Sequence, residues 1–254
     1  HQWCGRAAAD PHFRQLSVLQ QVFQRAAEGA LAVDMDLFST IAYKSKPAVR
    51  ATHLRGVHTW VMWYDFFSVP QPGAPEAEPA QHANLEGALG KAVASLSTYI
   101  DACEVFLVIA PTIEHEDGHM LDYMSWRARG WCRFERVARQ LSSSSGPMLL
   151  VTRPDTVFEV GAQDYLLDPI GCGDFSFEED RARLAPIVQQ LLRGKLLQLF
   201  DDARFEECRH VLSWCPDIVR GLPGKWQTTV PIALLAHSGG AASLQWPPNG
   251  NSVA

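Results

Sequence analysis

Apolar positions change period several times along the chain, and each change predicts an element. Phe13, Leu16, Leu19, Val22, Phe23, Ala26, Ala30 and Leu31 recur every three or four residues, which predicts an amphipathic helix from about Pro11 to Ala32. Val33, Met35 and Leu37 alternate with Asp34 and Asp36, the period of a short strand with one polar face. Thr59 to Phe67 (TWVMWYDFF) is aromatic and β-branched and ends ahead of Pro70, which predicts a buried strand. Prolines between Val69 and Pro79 exclude both a helix and a central strand, so this stretch reads as a surface loop. Leu85, Ala88, Leu89, Ala92, Val93, Leu96 and Ile100 return to helical spacing, from about Asn84 to Ala102. Glu104 to Ala110 (EVFLVIA) then reads as a second buried strand, stopped by Pro111. A polar loop, Thr112 to Asp122, leads to a helix marked by Trp126, Trp131, Phe134, Val137, Ala138 and Leu141 and closed by SSSSG. Met148 to Thr152 and Thr156 to Val160 are two further strands.

Strand and helix alternate through these residues, and short right-handed crossovers favour a mostly parallel, doubly wound α/β sheet with helices on both faces. The remainder reads as helical. Ser176 with Glu179 forms a capping-box pattern ahead of a stripe running from Leu184 to Leu199, with Pro186 as a kink or a fresh start. Asp202 to Cys215 predicts one more helix, and from Pro216 onward Pro, Gly and the isolated Trp226 and Trp246 describe an extended tail. The expected organisation is an N-terminal helix (1–32), an α/β domain (33–160), a helical extension (161–215) and a Pro/Gly-rich tail (216–254).

Composition narrows the function classes. Lys plus Arg number 22 against 28 Asp plus Glu, a net charge of −6 over 254 residues, which argues against nucleic-acid binding by bulk charge. Hydrophobic residues make up 47%, enough for a substantial core. The longest apolar run, Val105 to Pro111, falls far short of the roughly 20 residues that cross a bilayer, so no transmembrane segment is expected, while peripheral membrane association stays open. Six cysteines without a CxxC pair suit packing thiols and a reducing, intracellular or organellar compartment reached after removal of any targeting segment.

In an open α/β sheet, ligands collect beyond the carboxyl ends of the strands, which directs attention to Asp65–Gln71 and to Pro111–Trp126. Asp65, Ser68 and Gln71 place a carboxylate, a hydroxyl and an amide either at a pocket rim or in a strand-end turn. In GWCRFE, helical geometry sets Glu135 one turn below Trp131 and Cys132. The carboxylate either acts beside the indole or pairs at i,i+4 with Arg139, a surface contact of about 0.3–0.5 kcal/mol. His115-Glu116-Asp117-Gly118-His119 satisfies HExxH, yet Asp-Gly in its middle and nearby Pro111 disfavour the helix a zincin needs. It reads as a solvated loop with adventitious metal binding at most. Gly171, Gly173 and Asp174 read as a turn, the serines 142–145 as a linker, and Cys132 as a packing thiol.

The sequence order of TWVMWYDFF, a helix ending in SLSTYIDACE, VFLVIAP, and GWCRFE opening a helix resembles the TIR-like domains, with their tryptophan-cysteine-x-x-glutamate box. It resembles especially the divergent TIR-like proteins of microbial eukaryotes, in which an aspartate-bearing strand runs into an I-x-Q turn, here Ser68-Val69-Pro70-Gln71. The resemblance spans about residues 33–160 and implies a flavodoxin-like sheet. In TIR domains that cleave NAD the glutamate of the box is catalytic. The resemblance carries that role to Glu135, with Asp65 and Ser68 at the pocket mouth, Trp131 shaping its wall, and neither metal nor cofactor needed. A carboxylate there would stabilise the oxocarbenium-like centre formed as the ribose–nicotinamide bond breaks. Val33 to Phe38 lacks the hydroxyl, aromatic and glycine run of the family's first strand. The expected function is therefore an interaction or assembly module, an accessory or signalling component that docks on protein partners or self-associates. The alternative is an NAD-cleaving hydrolase acting on NAD as substrate through Glu135.

Overall fold

A computed structural model of the chain describes residues 1–6, 8–68, 87–88, 90–144, 146–161, 168–224 and 226. The Val69–Pro79 loop, Gln71 of the turn and Trp246 of the tail lie outside these residues. The chain forms two compact units that interleave in sequence: His1–Trp126 with Ser144–Ala162, and Arg127–Ser143 with Gln163–Ala254. The fold class is α/β, a mostly parallel central sheet flanked by helices, as the alternating pattern predicts. No helix among the described residues is long and apolar enough to cross a membrane.

In the first unit, α1 (Arg14–Glu28) buries Leu19, Val22 and Ala26. It is shorter than its apolar periodicity because Gly29, at φ 72°, closes it in a left-handed turn, with Ala30 N–H donating back to the Arg25 carbonyl. Asp10 stands at its other end, its carboxylate accepting from Arg14 and Leu16 N–H. The sheet has the order β1-β6-β5-β2, with β1 (Ala32–Met35), β2 (Phe106–Ile109), β5 (Met148–Arg153) and β6 (Thr156–Glu159). β1 pairs parallel with β6 and β2 parallel with β5, whereas β5 and β6 form an antiparallel hairpin closed by Pro154 and Asp155. The 3-10 helix Ala51–Thr59 and α1 seat Leu54, Val57, Val22 and Ala26 against Leu149, Val151 and Val157 of the sheet. Each fully buried Val or Leu contributes about 1.5–3 kcal/mol there.

Several expected elements take other forms. TWVMWYDFF is not a strand: Thr59 ends the 3-10 helix, residues 60–64 join no ladder, and Asp65–Ser68 is a single helical turn, α3. Aromatic and β-branched content reports how well a side chain fits a pleated surface, but a strand also needs a backbone partner. Here Val61 is 99% exposed, while Tyr64 turns inward onto Leu19 and Ile109. Leu37 does not extend β1; it opens α2 (Leu37–Tyr43), because Asp36 adopts a helix-capping role. The helix expected over 84–102 is described as helical residues 90–94 and α4 (Leu96–Ala102), parted at Ser95. The polar loop 112–122 folds as a hairpin of β3 (Ile113–Glu114) and β4 (Met120–Leu121).

The single helix expected through Trp126 and Leu141 is two, α5 (Tyr123–Ala128) and α6 (Gly130–Leu141). The break belongs to the second unit, where Gly130 N–H donates to the Asp174 carbonyl and Asp174 N–H to that of Ala128, each at 2.8 Å. A Cβ on Gly130 would strike the Phe175 ring, so only glycine allows this approach. α7 (Glu179–Asp201) runs unbroken through Pro186, which lies on its exposed face. The expected capping box is not formed: Glu178 occupies the N-cap without a side-chain capping bond, its carboxylate accepting from Arg181. Arg181 instead donates to the carbonyls of Gly171 and Gly173 at 2.8 and 3.0 Å. α8 (Phe205–Val219) continues past Cys215 and through Pro216, so the helix outlasts the expected tail boundary. Leu196, Leu199 and Cys208 close the α7–α8 contact.

Gly171, in the 3-10 turn Ile170–Cys172, lies directly against the backbone of Gly221. Gly171→Ala is expected to lower stability by about 1–3 kcal/mol, as overpacking does. Gly194→Ala, mid-helix with open space around it, is expected to raise it by about 0.5–1 kcal/mol. Urea midpoints of the two variants, measured against the parent chain, check both signs.

Candidate functional site

The antiparallel β5–β6 hairpin divides the carboxyl ends of the parallel pairs between opposite edges of the sheet. β2 and β5 end at one edge, β1 and β6 at the other. The loops that follow the strands, where such α/β sheets collect ligands, are therefore shared between the two ends of the sheet.

At the β2 edge, Tyr64 packs on Ile109 and stacks with the His1 ring at 5.3 Å. Burial pushes the Tyr64 hydroxyl well above its ordinary range, with the Asp65 and Asp10 carboxylates and the Cys4 thiol adding to the shift. Asp65 Oδ1 lies 2.7 Å from His1 Nδ1. Ser68 Oγ accepts from Tyr64 N–H at 3.2 Å. The structure thus brings Asp65 and Ser68 together within one turn, where the hydroxyl serves the turn itself.

The HExxH segment lies at the same edge as the turn joining β3 to β4. It is a hairpin turn and not a helix: His115 N–H donates to the His119 carbonyl at 2.8 Å, and Gly118 takes φ 85°. The two imidazole rings stack at 4.5 Å. Asp117 Oδ2 lies 3.2 Å from His115 Nδ1, while Arg6 Nε donates to Asp117 Oδ1 at 2.7 Å. That hydrogen bond, with smaller attraction from His115 and His119, holds Asp117 below the usual carboxylate range.

At the opposite edge, β1 feeds α2. Asp36 Oδ1 accepts from Ser39 N–H and Oδ2 from Gly161 N–H, both at 2.9 Å, so one carboxylate caps the helix and holds the chain leaving β6. Glu159 Oε2 accepts from Ala48 and Val49 N–H at 2.7 and 2.9 Å. The helix that Asp36 caps, ahead of the segment Glu159 holds, is inside out. Ser39 is its buried residue, while Leu37, Phe38, Ile41 and Tyr43 are 72, 49, 62 and 54% exposed. Periodicity could not find this, because an apolar stripe looks the same whichever way it faces.

Glu135 and Trp131 lie on α6 in the second unit, whereas Asp65 and Ser68 lie in the first. Trp131 Nε1 donates to Asp180 Oδ2 at 2.9 Å and its ring meets Phe134 edge-on. Glu135 is half-buried and engaged in its surroundings. Arg139 is 3% exposed, so a pairing with it would be no surface contact. Cys132 is buried at 4%, as a packing thiol should be.

The dominant polar cluster of this unit escaped the sequence reading. Asp168 Oδ2 accepts from Arg127 Nε and from Arg136, both at 2.8 Å, and Arg136 is 1% exposed. Arg133 adds bonds to the carbonyls of Arg127 and Pro169. Four arginines recur in RARGWCRFER, which is a signal, but their carboxylate comes from beyond the next two strands. The hollow between α1, the 3-10 helix and the sheet is lined by apolar side chains such as Val22, Leu54, Trp60 and Val157, and by none of the nominated polar groups.

The chain matches no family model, no curated protein and no solved structure.

Desolvation acts to raise the Asp168 pKa, but hydrogen bonds from Arg136 and Arg127 outweigh it and leave the group below the usual carboxylate range. A depressed folded-state pKa stabilises the fold above the unfolded value, and that stabilisation disappears as pH falls through the folded one. Asp168→Ala is therefore expected to cost about 3–5 kcal/mol at pH 7, since it strands Arg136 without its counter-charge. The deficit relative to the parent is expected to shrink below about pH 4. Denaturant titrations from pH 7 to pH 2 check both the size and its pH dependence.

Proposed function

We propose that this chain is a TIR-like interaction module that docks on a protein partner through the outward apolar face of α2. One observation carries the reading: a helix capped by Asp36 that buries its serine and exposes Leu37, Phe38, Ile41 and Tyr43. Exposed large apolar groups cost little individually, but four on one seven-residue helix form a contiguous surface that water solvates poorly. Trp60, Val61 and Met62 are further exposed apolar residues of the same unit.

The chemistry favours protein over lipid or nucleic acid. The helix sequence LFSTIAY carries no Lys or Arg, and the chain's net charge is −6, both unfavourable for anionic surfaces. A short helix supplying anchors at i, i+1 and i+4 suits a groove or flat apolar patch on another protein. The resemblance to TIR-like domains, many of which serve as adaptors, points the same way. The NAD-cleaving alternative relies on Glu135 in one unit and on Asp65 and Ser68 in the other.

A photocrosslinking residue placed at Ile41 is expected to give a discrete protein adduct in native material. The adduct should be lost on Leu37→Asp and absent when the crosslinker sits at exposed Arg209. Identical adducts at both positions, or none at Ile41, would remove the proposal. In a separate assay, purified protein incubated with NAD is expected to release no nicotinamide above the level of Glu135→Gln. Glu135-dependent release would establish the hydrolase reading in its place.

A further inference from the structure

We propose that His115, Asp117 and His119 form a binding site for one divalent ion of the zinc class. The three side chains offer ligand atoms that all lie within 4.8 Å of one another. They converge because the β3–β4 turn is tight: the His115 N–H bond to the His119 carbonyl closes it, and Gly118 supplies the left-handed residue it needs.

One pair of the three already has the spacing of a coordination shell. Around an ion with bonds of about 2.0–2.1 Å, neighbouring ligand atoms stand about 3.0–3.4 Å apart. His115 Nδ1 and Asp117 Oδ2 are 3.2 Å apart. Asp117 N–H lies 3.0 Å from that same Nδ1, so an ion taken there would replace this hydrogen bond, and either ring nitrogen of His115 can serve as the ligand. The two side chains thus already approach at the separation of neighbouring ligands on one ion.

The neighbouring groups prepare the site and define its chemistry. Arg6 takes Asp117 Oδ1, which leaves Oδ2 for the ion and fixes the carboxylate in the manner of an outer-shell partner. Glu116 Oε2 accepts from Arg6 N–H at 2.7 Å, and Glu116 N–H donates to the Cys4 carbonyl at 3.0 Å. The glutamate that would activate water in a zincin is therefore committed to the N-terminal segment, and the motif is not on a helix. The site consequently binds an ion without the hydrolytic machinery of that motif. Two imidazoles and one carboxylate favour zinc, nickel or copper over magnesium or calcium, and the remaining positions belong to water. A bound ion would hold the turn closed, and through Arg6 and Cys4 it would steady residues 4–6 as well.

Calorimetric titration of the full chain with Zn2+ at neutral pH tests this. One ion per chain is expected, with a rise in melting temperature that follows zinc occupancy. His119→Gln and Asp117→Asn are each expected to weaken binding at least tenfold and to remove that rise, while His12→Gln, an exposed histidine elsewhere in the unit, leaves both unchanged. Co2+ should give a visible absorption band that His119→Gln abolishes, and a tenfold excess of Mg2+ should not compete. No saturation up to millimolar zinc would overturn the proposal, as would equal weakening by His12→Gln or binding indifferent to His119→Gln. Since all the substituted side chains reach solvent, circular dichroism is expected to show the variants folded.

Discussion

The connection between β5 and β6 governs the first unit. Pro154 and Asp155 alone span the two strands, and a connection that short joins only antiparallel neighbours. β1 and β2 each pair parallel with one arm of this hairpin and so run in opposite directions. The crossovers that normally gather every functional loop at one edge here deliver them to two: α2 follows β1 at one, and the β3–β4 turn follows β2 at the other. Neither surface would be where it is in a wholly parallel sheet.

Carboxylates do the local work of fixing loops to this frame. Asp36 and Glu159, at the ends of β1 and β6, receive four backbone N–H groups between them, from Ser39, Gly161, Ala48 and Val49. Charge-assisted bonds of this kind are roughly twice as strong as neutral ones, and each satisfies a donor that a loop would otherwise leave to water. In the second unit Asp168 performs the corresponding task with arginine side chains. Its desolvation is tolerable only because Arg127 and Arg136 are both within hydrogen-bond reach.

Elements whose identity rests on local pattern were readable in the sequence. The stripe of α1, the continuous apolar runs of β2 and β5, and the helix from Glu179 through Leu199 all report burial directly. What could not be read depends on partners distant in sequence. TWVMWYDFF has strand chemistry but no ladder, and α2 has an apolar stripe with no core beneath it. The α5–α6 break needs Asp174, which lies 45 residues beyond Arg129 in the bridge that makes it. The candidate sites divide the same way. Asp65 and Ser68 were identifiable as neighbours because only two residues separate them. Asp168 was not identifiable as the partner of Arg127 and Arg136, because a helix and a hairpin intervene.

HExxH shows how the same residues change meaning with backbone geometry. On a helix, i and i+4 place two histidines on one face and leave the glutamate free beside the ion. On a two-stranded turn the same spacing again brings the histidines together, now by cross-strand pairing, but it rotates the glutamate away and turns the aspartate inward. The sequence argument against a zincin therefore holds without excluding an ion, since it removes the helix and leaves the ligands. The turn belongs to a separate two-stranded sheet, β3-β4, whereas α2 follows β1 of the four-stranded sheet. The proposed ion site and the proposed docking face therefore rest on different sheets, and each can be tested without disturbing the other.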